Sequence, residues 1–350
     1  MDWFERLTGF REMTGAAGYA ATRQRLQFDG THLQVLPARR RMAVGRLEMV
    51  SLAEWRAGAA AGPPVQGQPT FQVLVGNAGS LHAAPQHQGA LFQVASQFNL
   101  LEMVGPDVTP EDGVGRYEND FTQGPACAMA AGAATLYRNY GVPVAGVPGQ
   151  RHGAQLDGFA DLGGAIAQAL RRPPDTLWTM QNGYALFTQA GIDRMSRHVD
   201  TLDDAARDAL RSQLRIGVQW DVEVTDCKQQ PGPLVSQAFC SALPVSYHRF
   251  DAAVHWAPLA TLVLEAAYEA TLLAAVLNAQ RGASRQVLLT LLGGGAFGND
   301  PAWIRAAVQR AWRAVVGHGL DVRLVSFGQP APGLQAWADA LNSPTSGFHG

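Results

Sequence analysis

Two periodicities alternate along this chain. Leu288-Leu289-Thr290-Leu291-Leu292 has the length and bulk of a buried strand. Gly293-Gly294-Gly295-Ala296-Phe297-Gly298 follows, then Asn299-Asp300-Pro301. From Trp303 the apolar positions switch to helical spacing: Trp303, Ile304, Ala307, Val308, Ala311, Trp312 and Val315. Asp300 suits the cap of that helix and Pro301 its first position. The passage predicts strand, glycine turn and helix start, and the remaining elements arrange themselves around it.

Upstream, apolar runs predict strands over Thr70 to Val75, Ala90 to Ser96, Ile216 to Val224 and Val235 to Pro244. Leu320 to Ser326 predicts a last one. Helical patterns cover Ala126 to about Thr135, Ala160 to Leu170, Asp200 to Leu214 (with Thr201 as its cap) and Leu259 to Ala279. Trp178 to Leu186 reads as a loop or strand pair, and Val142 to Val147 leads towards a strand. In residues 1–58, Phe4, Leu7 and Phe10 suit a short helix. Leu33 to Leu36 and Met42 to Leu47 suit short strands flanking the Arg39-Arg40-Arg41 turn, and Leu47 to Trp55 suits a further helical piece.

Alternating strands and helices imply an α/β fold, with a parallel or mixed sheet between helical layers. The division expected is a small N-terminal extension over 1–58, an Ala/Gly/Pro-rich linker over 59–69, and an α/β/α domain over 70–328. That domain carries an insertion at about 150–231. A Pro/Gly-rich tail over 329–350 holds one short helix around Leu334 to Leu341.

Composition narrows the function classes. The chain has 350 residues, 47% hydrophobic and only 16% charged, with a formal net charge of −2. That balance argues against a nucleic-acid coat or a membrane-surface protein. Cys127, Cys227 and Cys240 have no metal-ligand spacing, and His82, His87 and His152 are scattered in loops, so no metal site is expected. Reduced cysteines and an N-terminus unlike a signal peptide point to a cytoplasmic protein. Leu262 to Ala279 carries Glu265 and Glu269, which suits a buried helix and not a membrane span.

The chemistry centres on the glycine run. Glycines let the backbone approach a ligand closely, and a loop entering a helix start presents free N–H groups to an anion, usually phosphate. The alternative is a tight turn with no ligand. In open α/β sheets ligands sit beyond the carboxyl ends of the strands, where these polar loops also lie.

Three passages resemble the macrodomain, a family of ADP-ribose-binding α/β/α domains. Gln72-Val73-Leu74-Val75-Gly76-Asn77-Ala78-Gly79-Ser80-Leu81 resembles its opening strand and Gly-Asp-Ile-Thr turn, with Asn77 standing where the family's Asp holds the adenine amine. Phe92-Gln93-Val94-Ala95-Ser96-Gln97-Phe98-Asn99 resembles the strand that ends in its Asn-Ala-Ala-Asn signature, of which Asn99 matches. Val235 to Gly298 follows the family's order of strand, helix, strand and phosphate loop; Ala267-Tyr268-Glu269-Ala270-Thr271-Leu272 resembles the helix motif. The family's first Gly-rich loop is absent in its usual form, and the Gln123-Gly124-Pro125 junction takes its place.

The resemblance implies a macrodomain-like mixed sheet and ADP-ribose or an ADP-ribosylated substrate as partner, with no cofactor, no membrane and no strong nucleic-acid signal. It places Asn77, Ala78, Gly293, Gly294, Gly295, Ala296, Phe297, Gly298 and Asn299 at the ligand, Phe297 as the aromatic by the ribose. Hydrolysis at the distal ribose needs a positioned water and a carboxylate. Glu118 and Asp120 are the candidates, with Asn99 on a ribose hydroxyl and Gln123 orienting the water or a phosphate; Glu102, Glu111 and Asp112 rank behind them. Arg138 is expected in an ion pair, with a phosphate contact as the alternative. The expected activity removes a 1″-linked group from ADP-ribose, as a phosphatase or an ADP-ribosyl hydrolase. The alternatives are a non-catalytic ADP-ribose reader and another nucleotide enzyme on a Rossmann-like sheet, which would need a Gly-x-Gly-x-x-Gly after an early strand that the chain lacks.

Overall fold

A computed structural model describes residues 1–36, 40–250 and 255–343. Its centre is a seven-stranded sheet: β1 (Arg46–Ser51), β2 (Thr70–Val75), β3 (Leu91–Ala95), β4 (Arg215–Glu223), β5 (Leu234–Cys240), β6 (Gln286–Leu289) and β7 (Asp321–Ser326). The spatial order is β1-β4-β5-β3-β6-β7-β2. From β5 to β2 all neighbours are parallel, while β4 runs antiparallel to both β5 and β1. The sheet is therefore mixed, as the strand–helix alternation requires.

Side chains alternate across it with period two. Leu91, Val287, Leu289, Val322 and Leu324 face one layer, built around α3 (Ala257–Gln280) with α1 (Leu52–Ala61) and α4 (Pro301–Val315) beside it. Phe92, Val94, Phe239, Leu288 and Val325 face the other, against Cys127, Ala131 and Ala134 of the small-residue helical segment that begins at α2 (Gln123–Ala130). The core helix α3 is long and apolar enough to cross a membrane, but its most apolar 18-residue window is 89% buried inside the protein.

Several expectations change. Leu47 to Trp55 is not one helix: Arg46–Ser51 pairs with Arg215 to Trp220 as an edge strand, and Ser51 then caps α1 in a capping box with Glu54. The N-terminal 58 residues thus supply a strand to the main sheet, and α1 runs through Ala61, into the stretch read as linker. Arg215–Glu223, within the stretch 150–231 read as an insertion, is strand β4 of the main sheet.

Asp200 to Leu214 divides into helices Gln189–Thr201 and Asp204–Arg211. Asp203 caps the second by accepting from Ala206 N at 2.8 Å, whereas the Thr201 hydroxyl donates to the His198 carbonyl. The helix at Ala126 starts earlier, at Gln123, and breaks at Ala131 before resuming over Gly132–Leu136. Val142 to Val147 gives only a two-residue hairpin, Pro143–Val144 with Val147–Pro148, outside the main sheet. Arg39 of the expected basic turn and the end of the tail lie outside the described residues.

Candidate functional site

A cleft opens at the carboxyl ends of the three central parallel strands. Its walls come from Ala95, Ser96 and Gln97 after β3, Ala242 after β5, Thr290 to Gly293 with Gly295 to Phe297 after β6, and Asp120 with Thr122 to Pro125 at the start of α2. Its empty volume is about 700 Å³, counting the space open to solvent. This is the place where open α/β sheets bind ligands.

The glycine loop is solvent-exposed from Gly294 to Ala296. Gly293 takes φ +74°, and a Cβ there would stand 2.5 Å from Ala242 Cβ, so only glycine fits. Asn299 is 2% exposed and clips the loop shut: its N–H donates to the Gly293 carbonyl and its Nδ2 to the Leu243 carbonyl. Asp300 accepts from Ala302 N at 2.7 Å, with Pro301 at the first helical position. The loop leaves the main-chain N–H groups of Gly293, Gly295, Ala296 and Phe297 without a partner among the described residues.

The opposite wall repeats the arrangement. Gly124 packs so closely on β3 that a Cβ would come within 2.0 Å of the Ala95 carbonyl oxygen. Gln123 sews the same junction, accepting from Ala95 N and donating to the Gln93 carbonyl, both at 2.9 Å. The amides of Gln123 and Gly124, in the first turn of α2, also have no partner among the described residues. Among the described residues no lysine, arginine or histidine lines the cleft, so the donors it offers an anion are main-chain N–H groups and side-chain hydroxyls and amides.

The predicted site residues divide. Gly293, Gly295, Ala296, Phe297, Asp120 and Gln123 line the cleft. One Asp120 carboxylate oxygen accepts from Thr122 N at 2.9 Å. Gln123 is there, but its side chain is committed to β3. Gly294 and Gly298 shape the loop without lining the cleft, and Gly298 needs its φ of +69° to pass Ser246. Asn77 and Ala78 sit at the same sheet edge after β2, two strands from β6, with Asn77 accepting from Ser80 N as a helix cap. Asn99 is 0% exposed and outside the lining: its Oδ1 accepts from Leu101 N and its Nδ2 donates to Gln155. Glu118 turns away, accepting from Trp3 N at 2.8 Å and pairing with Arg6.

Other groups enter the wall. Tyr184 lines the cleft from the hairpin Trp178–Gln181/Tyr184–Phe187, whose two-residue turn Asn182-Gly183 has φ +46° and +82°. Asn-Gly between apolar runs is a strong hairpin signal, and it was the sequence cue available. Tyr184 meets Tyr247 and Phe297 at centroid distances of 5.1 and 5.4 Å, an aromatic face opposite the α2 wall. Glu102 lines the cleft as well, although its side chain is fully buried against Arg138. Burial outweighs the attraction of that guanidinium and pushes the carboxyl up to about 7. Among the described residues no group of three or more His, Cys, Asp or Glu side chains could hold a metal.

No family model and no curated protein matches the sequence. Among solved structures the chain is similar to poly(ADP-ribose) glycohydrolase from Deinococcus radiodurans in complex with ADP-ribose, at 12% identity and a TM-score of 0.43, covering 92% of this chain and 95% of that one. It is also similar to poly(ADP-ribose) glycohydrolase from Thermomonospora curvata bound to the inhibitor ADP-HPD, at 14% identity and a TM-score of 0.41, covering 93% and 96%.

Proposed function

We propose that this cleft binds ADP-ribose through its diphosphate and that the protein hydrolyses a group linked at the 1″ carbon. The observation that carries the proposal is the convergence of unpartnered amides from two loops, Gly293 with Gly295 to Phe297 and Gln123 with Gly124, on one cleft. Backbone amides at a helix start and in a glycine loop bind a phosphate without cationic side chains. The aromatic face of Phe297, Tyr247 and Tyr184 suits a ribose or base. Strands two apart are separated by roughly 10 Å, so an extended ADP-ribose spans from the glycine loop to Asn77, where the macrodomain resemblance places adenine.

Asp120 is the group assigned to the chemistry. One of its oxygens accepts from Thr122 N, and the other has no partner among the described residues. That oxygen takes a proton from water attacking C1″, while the departing phosphate or ADP-ribosyl acceptor leaves with the bonding pair. Phosphatase and ADP-ribosyl hydrolase chemistry both fit this scheme.

A non-catalytic reader is the second reading, and it is favoured by the engagement of Asn99, Glu118 and Gln123 in structural bonds. Turnover of ADP-ribose-1″-phosphate and of ADP-ribosylated protein or nucleic acid, beside calorimetry with ADP-ribose, separates the two. Binding with product formation that Asp120→Asn abolishes supports hydrolysis. Binding without product supports the reader, and no binding removes both.

A further inference from the structure

Beneath the cleft lies an ion pair with no access to water. Arg138 and Glu102 have side chains 0% exposed, and one guanidinium nitrogen lies 3.2 Å from both carboxylate oxygens. Desolvating such a pair costs as much as its own attraction returns, so its stability value alone does not explain it. The other contacts of Arg138 tie the loop after β3 to strands β4 and β5. Its Nε donates to the Leu100 carbonyl at 2.8 Å, another nitrogen donates to Gln219, and the guanidinium lies 3.8 Å over the Phe239 ring. Leu100 itself stands at φ +65°.

From Glu102 the connections run towards Asp120. The Glu102 main-chain N–H donates to the Tyr117 hydroxyl at 3.0 Å, and the Tyr117 carbonyl accepts from Asp120 N at 3.1 Å. Tyr117 is 3% exposed. Its ring stacks on Trp3 at a centroid distance of 6.4 Å, and the Trp3 indole N–H donates to the Val114 carbonyl. The turn carrying Asp120 is thus gripped between the buried pair and the N-terminal helix Trp3–Thr8.

We propose that Tyr117, braced by the Glu102–Arg138 pair, is a positioning residue that holds the 115–120 turn and so keeps Asp120 at the cleft wall. The catalytic half of this inference rests on the hydrolysis reading above. Tyr117→Phe in the full chain tests it, because the ring keeps its place on Trp3 and only the hydroxyl is lost. We expect amide exchange over residues 115–122 to accelerate about tenfold. ADP-ribose affinity and KM stay within about twofold, and kcat falls about tenfold, the behaviour of a misplaced reacting group. Unchanged exchange overturns the proposal, and so does faster exchange with unchanged kcat. A wild-type protein that turns over no ADP-ribosyl substrate removes the hydrolysis reading instead, and exchange alone then decides whether the hydroxyl holds the turn.

Discussion

The Tyr268 hydroxyl donates to the Thr290 carbonyl at 2.6 Å, tying the core helix α3 to the root of the glycine loop. The same oxygen accepts from Leu292 N at 2.8 Å. Tyr268 is fully buried, so nothing replaces these bonds when the hydroxyl is removed. Tyr268→Phe should cost about 1–3 kcal/mol, the penalty for buried groups left unpaired, and should weaken ADP-ribose binding because Leu291 and Leu292 line the cleft. Chemical denaturation and calorimetry check both effects. A variant as stable as wild type would show that the loop is held from elsewhere.

The glycines of the loop are not equivalent. A Cβ at Gly295 meets nothing within 4 Å, whereas one at Gly293 meets Ala242 and the Asn299 amide and is strained by positive φ. Gly295→Val should therefore leave stability within about 0.5 kcal/mol, as exposed substitutions do, while blocking the approach of a diphosphate. A loss of at least about tenfold in affinity, some 1.4 kcal/mol, is expected by calorimetry. Gly293→Val should lower the melting temperature as well. Equal affinity for Gly295→Val and wild type would place the diphosphate somewhere else.

Asp120 and Glu118 are two residues apart and do different things. Asp120→Asn should reduce kcat by about a hundredfold or more, the usual scale of general-base catalysis. Glu118→Gln should leave kcat within a few-fold. It removes the charge of a half-exposed pair with Arg6 and leaves an amide oxygen to accept from Trp3 N, so its stability cost should be below about 1 kcal/mol. Steady-state kinetics with melting curves reads both, and the reverse ranking of the two would restore Glu118 to the chemistry.

Glu102 makes stability depend on pH. Its carboxyl rises from an ordinary 4.5 to about 7 in the folded chain, because burial outweighs Arg138. Below the unfolded value both states hold the proton. Between the two values the unfolded chain releases it and the folded chain keeps it. The contribution of Glu102 therefore falls as pH rises, by at most about 1.4 kcal/mol per unit. His82, buried and pushed down to about 4, works the other way, losing its contribution as pH drops below 6.5. Wild type minus Glu102→Gln isolates the carboxyl. Denaturation at about pH 5 and pH 7 should show that difference shrink at the higher pH, and a constant difference would mean Glu102 is ionised throughout.

The sequence by itself determined the alternation of elements and the glycine loop. Strand residues such as Leu288 and Leu289 carry their burial in their own side chains, and Asp300-Pro301 caps a helix by local bonds, so both can be read along the chain. The Asp120 loop and the Gln123-Gly124-Pro125 junction were legible for the same reason, although the helix expected from Ala126 begins at Gln123. Tertiary structure alone decided the partners. Whether Glu118 or Asp120 faces the cleft depends on Trp3 and Arg6, more than a hundred residues away in the chain. Asn99 is closed in by Gln155, and Tyr184 is brought to the cleft by a hairpin from the region read as an insertion. Arg46 to Ser51 becomes a strand because β4 offers it a free edge, whatever its local helical pattern. Periodicity records which face of an element is apolar; it holds no record of what that face, or a polar side chain beside it, will meet.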